Sequence, residues 1–331
     1  MKCLASFVAR ESIYSLRGRL LLLTLLTFLI GLWSFSFYAS HALRDDMVRL
    51  LGEQQFSAVS MVAAQVDREL ENRLRALEKV ADLAVEPMRR SPGAVQELLE
   101  RLPTLHSLFS AGLFVVSADG TAIADFPMQT GRIGMNYRDR DYVRAALEEG
   151  RPAVGQPIIG KKLKMPAVVL AVPIRDAGGK VVGALAGAIN LGVPGFLDQI
   201  TGSSYGKNGS FELASPEQRL FIIGSGRQRL MEKIPAVGLN PAVDRFMEQA
   251  DGYTVMFGLN RTEELIAKKR LATVAWDAVV SLPTREAFVP ILDLQRRMFV
   301  ATLLLTLLAG CITCRSSRPT NRSAIAAAAT A

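Results

Sequence analysis

The segment Tyr137-Arg138-Asp139-Arg140-Asp141-Tyr142 concentrates more recognition chemistry than any other stretch of this chain. Guanidinium groups bind carboxylates bidentately, and tyrosine supplies an apolar wall with a hydroxyl at its tip. The segment runs into a helical pattern through Val143, Ala146 and Leu147, which places these side chains at a helix entrance. Capture of a small carboxylate is the chemistry they suit. The same residues also suit a surface loop with internal Arg-Asp pairs and a helix N-terminus capped by Asp139 or Asp141. Lys161, Lys162 and Lys164 follow nearby, either as further cationic contacts or as a solvated charge run.

No catalytic constellation accompanies this segment. The two histidines, His41 and His106, stand far apart in the sequence, which excludes His-based nucleophilic catalysis and multi-His metal sites. Gly131-Arg132-Ile133-Gly134 lacks the Lys-Ser/Thr ending of a phosphate-cradling loop and reads as a turn. Cys3, Cys311 and Cys314 lie in or beside apolar runs, so the region between those runs has no disulfide. The sequence therefore predicts a binding protein without cofactor, metal or enzymatic activity.

Several elements must position the segment. From Leu43 onward, apolar residues recur at steps of three and four through Val59, Val62, Val66, Leu70, Leu74, Leu77, Val80 and Leu83, with no Gly or Pro from Glu53 to Glu86. This predicts one long stalk helix over 42–90, whose stripe packs on its own domains, on a second stalk in a homodimer, or on both. Strands and turns follow. Residues 113–116 and 121–125 form a hairpin, and strands near 153–159, 167–175 and 181–191 come after the helix. A smaller version repeats the plan with strands at 211–213, 220–223, 252–257, 265–270 and 276–282 and a helix at 241–249.

Two uncharged apolar runs, 20–38 and 298–314, bracket all of this and are long enough to be transmembrane helices. Ser40-His41-Ala42 could pass for a signal cleavage site, but the first run exceeds the usual 7–15 residues of a signal peptide. The basic residues outside the runs give each tail a charge of +3, leaving +2 of the total +8 for the region between. The tails at 1–19 and 315–331 therefore read as cytoplasmic, and the region between as periplasmic or extracellular. The positive charge belongs to topology and points to the lipid bilayer, with no nucleic-acid partner expected.

The order of stalk, hairpin, helix and strand pair, then a smaller copy, resembles the double Cache family of extracytoplasmic sensors in bacterial membrane receptors. The resemblance covers about residues 42–295 and rests on FVVSADGTAIAD, NYRDRDYVRAAL, VVLAVPIRDAGGKVVGALAGAINL and VAWDAVVSLPTREAF. It implies an α+β fold: a long stalk helix, then two PAS-like antiparallel-sheet modules at 91–200 (membrane-distal) and 201–295 (membrane-proximal). It also implies a sensor whose pocket is lined by Tyr137, Arg138, Arg140, Asp141, Tyr142, Lys164 and Asn190. Amino-acid-binding members carry an Arg ahead of an aromatic pair, matched here by Arg140 and Tyr142 with Val143 replacing the second aromatic. Their amine-holding Asp falls at Ala188, with Asn190 the nearest polar group. The expectation is a small anionic ligand of the organic acid class without a required ammonium. Members of the family continue into a cytoplasmic output domain, whereas the tail at 315–331 is short. A separate signalling partner would then carry the output, or the chain is a non-sensing adaptor or remnant of such a receptor.

Overall fold

The computed structural model describes residues 16–202, 204–225, 229–259 and 261–316. Most of the two expected tails lies outside these residues. The chain divides into two units, 1–50 with 288–331 and 51–287.

Helix α1 (Leu16–Arg90) runs for 75 residues. The first apolar run and the stalk, expected as separate segments, are thus one helix. Between them lies Ala39-Ser40-His41-Ala42, which holds neither Gly nor Pro and so nothing that would break the backbone hydrogen bonds. Pro87 lies inside its last turn. The side chain of Ser91 then accepts a hydrogen bond from the Ala94 amide and starts α2 (Pro92–Glu100), with Pro92 at the first position.

Within 51–287, α2 and α3 (Pro103–Leu108) lead into β1 (Leu113–Ser117), β2 (Ala122–Phe126), α4 (Asp141–Leu147), β3 (Ala153–Val154), β4 (Ile158–Ile159), β5 (Pro166–Arg175) and β6 (Val181–Asn190). After α5 (Phe196–Thr201) come β7 (Ser210–Ser215), β8 (Leu220–Gly224), α6 (Pro241–Glu248), β9 (Gly252–Phe257), β10 (Glu263–Arg270), β11 (Asp277–Pro283) and α7 (Thr284–Ala287). The first sheet is ordered β2-β1-β6-β5-β3 with β4 also beside β5, and the second β8-β7-β11-β10-β9. Both follow one plan, in which the last strand of the module lies beside the first, and every pairing is antiparallel. This is the α+β fold with two antiparallel sheets that the sequence implied.

Alternation along the central strands separates two faces. On β5, Val168, Leu170, Val172 and Ile174 join one cluster with Val59, Val66, Leu70 and Leu77 of α1, and Leu213, Ile222 and Val280 of the second sheet join the same cluster. On the opposite face, Val169 and Ala171 of β5 with Ala184, Ala186 and Ala188 of β6 meet Tyr142, Val143 and Ala146 of α4. The stripe of α1 therefore packs on its own sheets. Leu70 is fully buried, whereas Leu83, expected in the same stripe, is 60% exposed.

Within the other unit, the apolar part of α1 meets α8 (Val289–Ser316). The Trp33 and Phe299 rings lie 6.4 Å apart, Thr302 Oγ1 is 3.5 Å from Ser36 Oγ, and Gln295 Nε2 donates to the Ser40 carbonyl at 3.2 Å. Small and polar residues at such a contact are what helix association in lipid uses. Both helices are long and apolar enough to cross a membrane.

Replacing Leu70 by Ala should cost about 2–5 kcal/mol, whereas Leu83→Ala should stay within about 0.5 kcal/mol. Urea unfolding of the full chain in nanodiscs separates the two, and equal losses would contradict the burial of this helix face.

Candidate ligand-binding site

The N-terminus of α4 meets the alanine-rich face of the first sheet beneath the 158–165 loop, enclosing a cavity of about 30 Å³. Its floor includes Ala111, Ala167, Val169 and Ala188, and its walls include Phe114, Tyr137 and Tyr142. Small residues on β6 leave the space. Gly155 lets the wall close, because a Cβ there would lie 2.5 Å from the Tyr142 ring.

Four cations line the cavity: Arg132, Arg140, Lys161 and Lys162. Among the described residues that line it, none is acidic. Arg132 is 5% exposed, and its Nη1 pairs with Asp125 Oδ1 at 2.7 Å. Its amide donates to the other Asp125 oxygen at 2.8 Å, and Nη2 to the Ala111 carbonyl at 2.5 Å. Arg132 is thus a fixed charge, its guanidinium 5.2 Å from the Phe114 ring centre. Lys161 Nζ donates to Asp139 at 2.5 Å and to the Asn136 carbonyl at 2.9 Å, pinning the loop over the cavity. That Lys161 bond holds the Asp139 carboxyl below its usual range.

Arg140 differs. It occupies the N-cap position of α4 without a side-chain capping bond. Its Nε is buried and has no hydrogen-bond partner. A buried, unfilled guanidinium donor is costly unless an acceptor comes to it. Tyr137 and Tyr142 are buried, and burial raises both phenol pKa values. Their hydroxyls therefore stay protonated around neutrality and can donate to an anion.

Of the seven residues named from sequence, the structure brings Tyr137, Arg140 and Tyr142 to the cavity and places the other four elsewhere. Arg138 turns outward to Glu148, with Nη2 at 3.1 Å. The two oxygens of Asp141 accept from the Tyr142 and Gln156 amides, both at 2.8 Å, which uses its carboxylate to hold the helix start. Lys164 is exposed and has a positive φ of 53°; its amide closes a turn on the Gly160 carbonyl. Asn190 sits at the end of β6 with Oδ1 accepting from the Gly192 amide. The alternative of internal Arg-Asp pairs also fails, since Asp139 binds Lys161 and Arg138 binds Glu148. Asp141 lies within the first turn of α4 and Asp139 outside it, so neither is the cap.

Arg132 and Phe114 were missed. Phe114 lay in a recognised strand, but which face it used depended on register. Arg132 was read as part of a turn, and only its partner Asp125, seven residues earlier on β2, shows that its charge is buried.

Gln156 ties the site to the second sheet. Beyond its amide bond to Asp141, its Oε1 accepts from Ser215 Oγ at 2.9 Å and from Trp276 Nε1 at 3.3 Å, and its Nε2 donates to Glu217 at 2.9 Å.

Residues 44–291 of the sequence match the Cache domain family model. The chain belongs to the Cache domain family. Its fold is shared with the ligand-binding domain of the Pseudomonas aeruginosa chemoreceptor PctB, solved with L-Arg (19% identity, TM-score 0.58, 72% of this chain and 97% of that one). The Pseudomonas fluorescens chemoreceptor CtaA domain, solved with L-isoleucine, is similar at 19% identity and TM-score 0.56, over 76% and 98% of the two chains. An extracellular ligand-binding receptor from Desulfohalobium retbaense matches at 14% identity and TM-score 0.54 over 69% of this chain, which spans 40% of that receptor's length. No curated protein matches the chain.

Removing Asp125 tests whether Arg132 is held as described. Asp125→Ala strands a buried guanidinium and should cost about 3–5 kcal/mol of stability. Chemical denaturation of the full chain measures it, and a loss comparable to that of an exposed ion pair would refute the arrangement.

Proposed function

We propose that this Cache protein is the input part of a membrane-anchored sensor that binds a small carboxylic acid in the cavity of its first sheet. The carrying observation is the buried Arg140 Nε without a partner, in a cavity lined by four cations and, among its described residues, by no acid. One carboxylate satisfies that donor and offsets the charge around it. A volume of about 30 Å³ holds only about two or three waters. It favours acids of two or three carbons unless the 158–165 loop moves.

The amino acids bound by the related chemoreceptor domains favour a second reading, an amino-acid ligand. Against it, Ala188 faces the cavity, and among the described residues that line it none offers a carboxylate to an ammonium. Burying an unpaired ammonium is costly.

The sensor region faces the extracytoplasmic side, anchored by α1 and α8. A homodimer through α1 fits the exposed Met61 and Leu83 on that helix. Binding carries a signal only if the acid favours one of two arrangements. Tyr142 of the cavity wall connects to the second sheet through Asp141, which accepts its amide, and Gln156.

Propionate and L-alanine share a carbon skeleton and differ by the ammonium, so titration calorimetry of the full chain in nanodiscs with both separates the readings. Propionate should bind more tightly than L-alanine. Arg140→Ala should weaken it by about tenfold to a hundredfold, the effect of losing hydrogen bonds to a charged group. Tighter binding of L-alanine would establish the amino-acid reading. Binding of neither compound, nor of acetate or pyruvate, would leave the adaptor.

A further inference from the structure

The second sheet has a cavity of its own, about 70 Å³, more than twice that of the first. It lies between α6 and the face of β7, β11 and β10 that carries Ala214, Val279 and Ile266, and Phe221, Met247 and Met256 wall it. The site is separate from the cationic one, being mainly apolar, with its charges at opposite ends.

Register shows how those charges are arranged. Lys268 of β10 faces Val279 of β11, which faces Glu212 of β7. Directly opposed residues share a face, so Lys268 and Glu212 stand on the same floor about 10 Å apart, two strand spacings, with Val279 between them. The charges balance over the cavity as a whole, with Glu212, Glu264 and Asp277 matched by Arg229, Lys268 and Arg270. Glu212 pairs with Arg229 at 3.3 Å, and Asp277 pairs with Arg270 at 2.5 Å and with Lys268 at 3.5 Å. Glu264 is half-exposed and accepts from Thr262 Oγ1.

Lys268 is the unusual member. It is 2% exposed, and its Nζ donates to the Met247 carbonyl at 2.9 Å. An ammonium has three protons; Asp277 is 3.5 Å away and already held by Arg270. The ammonium therefore retains donor capacity at the edge of an apolar cavity. Burial also lowers the Lys268 pKa, the mark of a cation short of compensating contacts.

We infer that this second cavity is a binding site for a small uncharged molecule with an apolar body and one hydrogen-bond acceptor, the body lying among Phe221, Met247, Met256 and Val279 and the acceptor on Lys268 Nζ. A neutral ligand fits because the charges around the cavity already balance as a whole. A cation would be buried without a partner, and an anion would have to share Lys268 with Asp277 in a cavity with no charge to spare, which costs more than one hydrogen bond returns. The inference does not depend on the acid site of the first sheet.

Benzamide, benzoate and benzamidinium share one ring and differ in head-group charge. The full chain, labelled at its methionine methyls and held in nanodiscs, reports binding directly, since an aromatic ring in this cavity shifts the Met247 and Met256 signals. Benzamide should shift both in a saturable manner, and the two ions should bind at least about tenfold more weakly, the least that an unpaired buried charge costs. Lys268→Met should weaken benzamide several-fold. Asp277 keeps Arg270 in that variant, so the sheet edge retains its ion pair. Arg140→Ala should leave the benzamide shifts intact, which separates this site from the acid site whatever that site binds. The absence of Met247 and Met256 shifts in the unmutated chain overturns the proposal, as does loss of those shifts in Arg140→Ala. Equal binding of either ion, or unchanged binding in Lys268→Met, overturns the assignment of a neutral ligand held by that ammonium.

Discussion

One continuous apolar cluster joins α1 to both sheets, and the rest of the structure depends on it. Each sheet must cover two faces, and a strand pair alone is at best marginally stable in water. The stretch of α1 through Val59, Val66, Leu70 and Leu77 covers one face of the first sheet and reaches into the core of the second. Each of these side chains contributes roughly 1.5–3 kcal/mol on burial. Because one helix serves both sheets, neither module is an independent bead on a stalk. The opposite faces are free to carry shorter helices, α4 and α6, and beneath those lie the two cavities.

The two modules use one strand order for opposite chemistries. In the first, alanines on the helix-facing side of β5 and β6 leave a small space that four cations surround. In the second, Phe, Met and Ile fill the walls, and the charges are paired at the margins. Shared topology thus says little about ligand chemistry, which depends on the side chains presented to each cavity. Gln156 is where the modules meet through polar contacts. Its backbone holds the carboxylate that starts α4, and its side chain reaches the Trp276 indole. Trp276 is fully buried at the turn between β10 and β11. In the same turn, the Ala272 and Thr273 amides donate to Asp67 of α1, both at 2.9 Å. Polar contacts therefore run from the first cavity to the long helix.

Periodicity alone placed the helix stripe, both apolar runs, the hairpins and the repeated strand plan, because backbone hydrogen bonding imposes periods of 3.6 and 2 that survive in residue order. Side-chain chemistry at a helix start singled out residues 137–142, of which Tyr137, Arg140 and Tyr142 line the cavity. The membrane run and the stalk differ in sequence yet continue through their junction as one helix. Composition changes sharply there, but composition does not break helical hydrogen bonds.

What only the tertiary structure decided is which charges are already spent. Arg132, Arg138 and Arg140 look alike in sequence, yet Asp125 holds the first, Glu148 draws the second outward, and the third keeps a buried donor unfilled. Asp141 resembles a binding group but is consumed by two backbone amides. Lys268 looks like an ordinary strand lysine, and its burial rests on α6 folding across the sheet. Residue type and spacing determine what a side chain can bind. Its availability depends on partners brought close by strand register and helix packing, and those contacts are non-local.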